Sequence, residues 1–275
     1  MNARVKFNFN VISLLLANVS AIAHAASRRK RENLFISADV ESKTLQTAEL
    51  NVETTVNEVS KLLIPSSGFC GKHFGSIKPK GACKAVWAVS TSTGPAIKCL
   101  GWPTWSTSLA LTQGDCLAWG AIDWPLLNER LISFGGNTYS TYRNLNVYNR
   151  LPPLPEVKPS IRGSVIASSP PAAFYEACAL AALDGEALHV ECDFGVYAFA
   201  LLARATVDVV IENNISPQLL LSVISVLNGV GCVVTDWNGR ETFSSRRIVA
   251  ARNKELASKV AATLSSFAKS TSAAC

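Results

Sequence analysis

The sequence predicts an α/β fold built from alternating layers of helices and sheets. Three observations support this class. The second half of the chain alternates short apolar runs with longer segments of helical periodicity, a pattern typical of layered α/β folds. The composition, 48% hydrophobic and 17% charged residues, is that of an ordered globular chain. A length of 275 residues can bury a substantial core in one large domain or in two closely packed halves.

The N-terminal segment fits either an export signal or a helix. A short basic start, a mostly apolar run over residues 11–23 and the sequence Ala23-His24-Ala25 resemble a signal peptide and its cleavage site. The apolar residues also recur at helical spacing and form one stripe: Ile12, Leu15, Leu16, Val19, Ile22, Ala23 and Ala26. We favour the helix and a cytoplasmic protein; export is the alternative. The run is too short and too polar for a transmembrane span, so no membrane association is expected.

Cysteine spacing and net charge indicate which compartment and which partners to expect. The eight cysteines are scattered, without a C-x-x-C pair or a metal-ligand spacing, as expected for reduced thiols in the cytoplasm. Much of the formal charge of +6 lies in one run, residues 28–31, without the interleaved aromatic residues of a nucleic-acid surface. We therefore expect no nucleic-acid partner.

The N-terminal half begins with helical signals and continues with strands. After the first helix, residues 35–40 predict a strand, and a helix follows to about Leu63, where residues 65–68 break it. Strand patterns alternate over residues 85–134, and the sequence Gly-Gly-Asn after them predicts a turn.

A proline-rich linker separates the two halves. Residues 151–155 contain three prolines and cannot lie in a helix or a paired strand. We assign residues 1–150 to an N-terminal α+β half and residues 156–275 to a C-terminal α/β half. The second half is predicted to contain strands over 164–168, near 189, and over 207–211 and 232–235, and helices over 172–183, 196–205, 217–228 and from 253 onward.

The most specific motif lies between residues 87 and 111. An apolar strand that begins at Trp87 ends in the loop 90–95, Ser-Thr-Ser-Thr-Gly-Pro, and residues 101–105, Gly-Trp-Pro-Thr-Trp, lead into a second apolar strand. This spacing resembles the W-hydrophobic-hydrophobic-D-P-I-D-G-T loop and the G-x-P-T-F segment of the inositol monophosphatase-like family of magnesium phosphatases. The frame of the loop matches the family. Ser90 and Thr93, however, stand where the family has metal-binding aspartates.

Further motifs follow in the family's order. Residues 120–130 resemble the G-V-I-D-Q-P…G-E-R hairpin, residues 197–212 the Y-A-Y-A-L-L-A…V-D-x-V-x-E segment, and residues 229–240 the G-A-G-G-V-V-T-D-W-x-G-R turn. Residues 248–251 match the strand that precedes the family's last helix. Because these blocks have compatible spacing from about residue 43 to 265, the chain is identified as similar to this family, and most similar to its bacterial histidinol-phosphate phosphatase branch. The resemblance implies a layered α-β-α-β-α sandwich and a Mg²⁺-dependent phosphate-monoester hydrolase.

The residues that would bind the metal are replaced. The family chemistry requires carboxylates, because Mg²⁺ prefers hard oxygen ligands in octahedral geometry. The substituted family metal positions are Lys72 and His73 in the G-E-E segment, Ser90 and Thr93 in the loop, and Leu219 at the P-Y-D position. The positions that the resemblance gives for phosphate or substrate are Gly94, Pro95, which replaces the loop threonine, and Asp193, which matches only with a two-residue shift.

These replacements lead to two functional hypotheses. The first is a Mg²⁺-dependent phosphatase scaffold whose activity is lost or severely reduced, with no intact catalytic group; Mg²⁺ is expected from the family but not expected to bind here. The alternative is a non-catalytic scaffold that binds a phosphorylated small molecule or an active paralogue. Family members often dimerise, so a homo-oligomer is expected.

Some side chains allow an alternative reading. The Lys72 ammonium, in place of a metal, would hold a phosphate; the simpler interpretation is that Lys72 and His73 are solvated on a surface loop. Shifted acids, namely Glu53, Asp193 and Asp208, would rebuild a metal site if the fold brought them together. Asp236 is expected to stabilise a turn rather than to bind a metal.

Overall fold

The computed structural model describes most of the chain. The described residues are 9–32, 38–92, 104–142, 147–155, 160–162, 164–192 and 194–268. The helices found there are α1 (Phe9–Glu32), α2 (Ala38–Leu63), α3 (Phe174–Asp184), α4 (Tyr197–Ala203), α5 (Pro217–Asn228) and α6 (Lys254–Ala268). The strands are β1 (Gly68–Gly71), β2 (Gly75–Ile77), β3 (Ala85–Ser92), β4 (Ser106–Gln113), β5 (Cys116–Trp124), β6 (Glu129–Phe134), β7 (Asn137–Tyr142), β8 (Asn149–Arg150), β9 (Val165–Ser168), β10 (His189–Cys192), β11 (Val209–Glu212), β12 (Val233–Asp236) and β13 (Ile248–Ala251).

The strands form two sheets, one large and one small. Within the described ranges, the large sheet has eight strands in the order β2-β1-β3-β4-β5-β6-β7-β8, and the small sheet has five in the order β10-β9-β11-β13-β12. In the large sheet, β1 and β3 are parallel and the other neighbours are antiparallel. In the small sheet, β9 is parallel to β10 and β11, whereas β13 is antiparallel to β11 and β12.

Helices cover both sheets and give five layers. α1 and α2 pack on one face of the large sheet, α4 and α5 fill the space between the sheets, and α3 and α6 cover the outer face of the small sheet. Side chains of a strand alternate between its faces. In β5, Trp119 and Ala121 accordingly join the α1–α2 core, while Ile122 and Trp124 join the α4–α5 core. The predicted α-β-α-β-α sandwich is confirmed.

The N-terminal helix is confirmed, and one predicted strand is wrong. Ile12, Leu16 and Val19 of the apolar stripe are almost completely buried. Residues 38–40, assigned to a strand, are the first turn of α2, while residues 33–37 lie outside the described ranges. An apolar run this short does not distinguish a strand from a helix, and the helical periodicity that continues behind it decided the outcome.

A buried ion pair fixes α1 on the large sheet. Arg130 of β6 is completely buried, and its Nε donates to Oδ1 of Asp123 at 2.9 Å. Its two terminal nitrogens donate to the Tyr148 hydroxyl and to the carbonyl of Leu16 in α1, each at 3.0 Å. Burial raises the pKa of Asp123, although the nearby Arg130 charge opposes the shift. All three nitrogens of the Arg130 guanidinium therefore donate to groups that hold the fold together.

Two further observations concern membrane-spanning helices and the cysteines. No helix in the described part of the chain is long and apolar enough to cross a bilayer. The cysteines described there, at positions 70, 83, 116, 178, 192 and 232, all carry free thiols. Burial raises the pKa of the Cys232 thiol to about 12, so this side chain behaves as a small apolar group.

Candidate functional site

The turn between β1 and β2 is held by a carboxylate of α2. The backbone N–H groups of Lys72, His73 and Phe74 all donate to the Glu53 carboxylate, at 2.8, 2.9 and 3.1 Å. Glu53 is 1% exposed. A Cβ atom at Gly71 would lie 2.5 Å from Glu53 Oε2, so a glycine is needed for the carboxylate to reach the amides. Glu53 is thus engaged by the backbone rather than available as a ligand.

The side chains of the same turn bind a second carboxylate of α2. Lys72 Nζ lies 2.7 Å from Oε2 of Glu49, and His73 Nε2 lies 3.2 Å from the same oxygen. The Glu49 side chain is 1% exposed, whereas that of Lys72 is 64% exposed. The other oxygen of Glu49, Oε1, is buried and has no hydrogen-bond partner in the described part of the chain. A cation of the chain itself therefore neutralises a carboxylate that the sequence analysis did not single out.

Ser90 meets the beginning of α5. Its hydroxyl lies 3.2 Å from the hydroxyl of Ser216, the N-cap of α5, which in turn accepts from the backbone N–H of Leu219 at 3.2 Å. This is the standard capping arrangement, in which a side-chain oxygen satisfies a free N–H of the first helical turn. Ser108 of the adjacent strand β4 donates to the Ser90 carbonyl at 3.3 Å. Two neutral hydroxyls thus occupy the contact between β3 and α5.

Leu219 belongs to the core. It is 7% exposed and packs in the apolar cluster between the two sheets. The neighbouring Gln218 donates to the sulfur of Cys70 in β1 at 3.2 Å, so the first turn of α5 also contacts β1. The beginning of α5 therefore contacts both β1, through Cys70, and the end of β3, through Ser90.

Four of the predicted positions cannot be placed. Thr93, Gly94, Pro95 and Asp193 lie outside the described residues. Among the described residues, no group of three or more His, Cys, Asp or Glu side chains is arranged to hold a metal ion.

The other candidate acids are engaged in local structure. Asp208 pairs with Arg252, with Oδ1 2.8 Å from Nη1, and its Oδ2 accepts from the Val165 N–H at 2.9 Å. Oδ1 of Asp236 accepts from the N–H groups of Asn238 and Arg240 at 2.8 and 2.9 Å, which is the predicted turn-stabilising role.

Glu212, at the end of β11, is a further carboxyl with a strongly shifted pKa. Burial raises its pKa to about 7, while a hydrogen bond with the Ser169 hydroxyl opposes the shift. At neutral pH this group therefore exchanges between its acid and carboxylate forms. The sequence analysis gave it no role, although it ends the segment that matches V-D-x-V-x-E.

Two residues of the site were missed by the sequence analysis. Glu49 and Glu53 lie four residues apart on α2, a spacing that puts both carboxylates on one face of a helix and that would have indicated Glu49. Ser216 precedes Pro217 at the start of a predicted helix, and a Ser-Pro pair of this kind is a recognisable N-cap signal.

Comparison with curated proteins finds a plant relative. The chain is 25% identical over 236 residues to the bifunctional phosphatase IMPL2, chloroplastic, of Arabidopsis thaliana. The alignment covers 84% of this chain and 65% of the length of the plant protein. No protein-family model matches the sequence.

Solved structures with the same fold are inositol monophosphatases and related proteins. An inositol monophosphatase from Zymomonas mobilis superposes with a TM-score of 0.76 at 16% identity, covering 94% of this chain and 100% of that one. Inositol monophosphatase II from Staphylococcus aureus gives 0.76 at 11% identity, covering 94% and 95%. The extragenic suppressor protein SuhB of Bartonella henselae gives 0.73 at 20% identity, covering 92% and 99%. At these identities the structural similarity shows the fold.

Proposed function

We propose, from the premise that this chain is an inositol monophosphatase-like protein in sequence and fold, that it keeps the scaffold of a phosphate-monoester hydrolase but has lost, or retains only severely reduced, Mg²⁺-dependent hydrolysis. The protein is then a pseudoenzyme of a phosphatase fold. The relatives and the fold support the scaffold. The chemistry of the site supports the loss.

One observation carries the proposal: a cation of the chain itself, Lys72, pairs with a buried carboxylate, and the resemblance implies a metal-binding acid at the position of Lys72. Lys72 Nζ is 2.7 Å from Oε2 of the buried Glu49, and three backbone N–H groups occupy the Glu53 carboxylate. An ammonium at this distance supplies the positive charge that a metal would otherwise supply. A second cation in the same place would be repelled by the Lys72 ammonium. The buried Oε1 of Glu49, which has no partner among the described residues, offers a single ligand, fewer than the octahedral geometry of Mg²⁺ requires.

The remaining donors do not fit Mg²⁺. This ion binds through carboxylates, phosphate oxygens and water in octahedral geometry. Ser90 offers a neutral hydroxyl that already contacts Ser216, and Leu219 offers only carbon. The described donors would therefore not hold Mg²⁺, and we derive no hydrolytic step through the ion.

The test is phosphate release from histidinol phosphate and from inositol monophosphate, with and without Mg²⁺. We expect no metal-dependent turnover by the natural chain. A revertant that carries Lys72→Glu, His73→Glu, Ser90→Asp, Thr93→Asp and Leu219→Asp should gain measurable Mg²⁺-dependent release, because it restores the family's carboxylates. The matched control replaces the same five residues by Gln, Gln, Asn, Asn and Asn, with nearly the same shape and no charge.

Each outcome has a definite meaning. Metal-dependent turnover by the natural chain would show that the proposal is wrong and that other acids have rebuilt a metal centre. Turnover by the acidic revertant, with none by the amide control or the natural chain, would support loss of the metal ligands on an otherwise competent scaffold.

A further inference from the structure

A cavity of about 420 Å³ lies beside the small sheet, and the site described above does not use it. Its wall is formed by the loop after β11, the turn after β12 and the segment before β13, and includes Asn214, Asn238 and Arg246. The backbone N–H of Ile215 donates to the carbonyl of Arg246 at 2.8 Å and joins two of these segments. A backbone hydrogen bond therefore joins two of the segments that form the wall of the cavity.

Several hydrogen-bond donors of this cavity have no partner among the described residues. Arg246 Nε donates to Oδ1 of Asn214 at 2.8 Å, which fixes the plane of the guanidinium and leaves its two terminal nitrogens free of partners among the described residues. The Asn214 amide nitrogen and the Asn238 side-chain amide likewise have no partner there. Three sets of N–H donors thus line one opening, and one carries a full positive charge.

The other charged groups of the cavity are engaged in structure. The Arg247 guanidinium lies over the rings of Tyr175 and Trp237, at 5.2 and 5.5 Å from their centroids, and donates to the Tyr175 hydroxyl. Its Nη2 is also 3.6 Å from Glu176. The one carboxylate in the lining, Asp236, holds two backbone N–H groups of its own turn. Arg246 is therefore the cation of the lining whose charge faces the opening without an acidic partner among the described residues, so the opening favours an anion.

We propose that this cavity binds a small oxyanion group, a phosphate or a carboxylate, through the terminal nitrogens of Arg246 and the amides of Asn214 and Asn238. A planar guanidinium with two adjacent N–H donors matches two oxygens of either group. The hydrogen bond from Arg246 to Asn214 places both side chains at the same opening, although both are exposed. The site requires no metal and is independent of the proposed loss of hydrolysis.

The test is calorimetric titration of inorganic phosphate, and separately of acetate, into the full chain in metal-free buffer containing EDTA. We expect saturable phosphate binding that weakens at least tenfold in Arg246→Gln and severalfold in Asn214→Ala. The matched control is Arg240→Gln, an exposed arginine outside the cavity lining, which should bind phosphate within about twofold of the natural chain. Binding of acetate as well would identify a general oxyanion site; binding of phosphate alone would identify a phosphoryl site.

Three results would overturn the proposal. One is the absence of saturable binding of either anion by the natural chain. Another is an equal loss in Arg246→Gln and Arg240→Gln, since this would reflect net charge only. The third is unchanged binding in Arg246→Gln with loss in Ser216→Ala, which would place the anion at the beginning of α5. Thermal unfolding of each variant confirms that it is folded, and Asn214→Ala provides a second, uncharged change at the same site.

Discussion

At the scale of single residues, the candidate acids of this chain pair with groups of the chain itself. Glu53 accepts three backbone N–H groups and Glu49 accepts an ammonium and an imidazole. Asp208 pairs with Arg252, and Asp236 closes a turn. A buried carboxylate that is paired within the chain, as Glu53 is, does not need an external cation. Glu49 is paired through Oε2 only, since its Oε1 has no partner among the described residues. The difference between a metal ligand and a structural acid is therefore decided by what else the fold places within hydrogen-bond distance.

Glu212 gives a prediction about pH. Its carboxyl has an ordinary pKa of 4.5 and a folded-state pKa of about 7, raised by burial. The folded chain therefore holds a proton that the unfolded chain releases between these values. The free energy of unfolding should fall as pH rises from about 4.5 to 7 and then level off, by at most about 3 kcal/mol from this group.

Glu212→Gln removes this titration. Measured by urea unfolding at pH 5 and pH 8, the variant should gain stability relative to the natural chain at pH 8 and show little difference at pH 5. Glu186→Gln, at an exposed glutamate, is the control and should follow the natural chain at both pH values. Parallel pH profiles for Glu212→Gln and the natural chain would contradict the assigned shift.

At the scale of elements, the β1–β2 turn and α2 behave as one unit. Glu49 and Glu53 lie four residues apart on α2 and both bind the β1–β2 turn. Glu53 binds its backbone N–H groups, and Glu49 binds its side chains. Gly71 allows the close approach that this requires. The Lys72 side chain reaches from a solvent-exposed turn to a buried acid, so the ion pair stabilises the packing of the hairpin on the helix.

Lys72→Met should lower the free energy of unfolding by roughly 1–3 kcal/mol, because it leaves the buried Glu49 carboxylate with only the His73 contact. In a Glu49→Gln background the same substitution should cost much less, and the double-mutant cycle measures the coupling. Lys61→Met, at an exposed lysine near the end of α2, is the matched control and should have little effect. Equal costs in both backgrounds would show that Lys72 does not compensate Glu49.

At the scale of the whole molecule, α5 is the central element. It lies between the two sheets, its N-cap Ser216 contacts Ser90 of β3, and it packs over β5 along its length. It belongs to the C-terminal half in sequence and packs on the large sheet, so the two assigned halves share a core. Gly120 of β5 allows the approach: a Cβ atom there would lie 2.7 Å from the Cβ of Ser225 and 3.1 Å from the backbone of Ser222.

Gly120→Ala should therefore destabilise the protein by roughly 1–3 kcal/mol, because the added methyl group pushes α5 away from the large sheet. The measurement is the midpoint of chemical unfolding. Gly185→Ala is the control, since a Cβ there would meet its nearest atom at 3.6 Å, and its midpoint should change little. A Gly120→Ala midpoint equal to that of the control would show that the contact between α5 and β5 can relax.

Most secondary structure could be predicted because local periodicity encodes it. The helix over Pro217–Asn228 was predicted with the observed limits, since a proline and a glycine mark its ends. The strand over Ile248–Ala251 was predicted from the family resemblance, also with the observed limits. The strand predicted at residues 35–40 was wrong where it can be judged, because a short apolar run carries no usable period. The family motifs located the candidate site and its replaced acids.

The sequence by itself determined the layered fold, and the family resemblance predicted which metal positions are substituted. Only the tertiary structure decided what those residues do. Lys72 could have been solvated or phosphate-binding, and its pairing with Glu49, across 23 positions of sequence, depends on how the hairpin packs on α2. Likewise, Arg246 and Asn214 are 32 positions apart and meet only because the small sheet sets their strands side by side. Periodicity is local, whereas the charge environment of a side chain is made by segments distant in sequence.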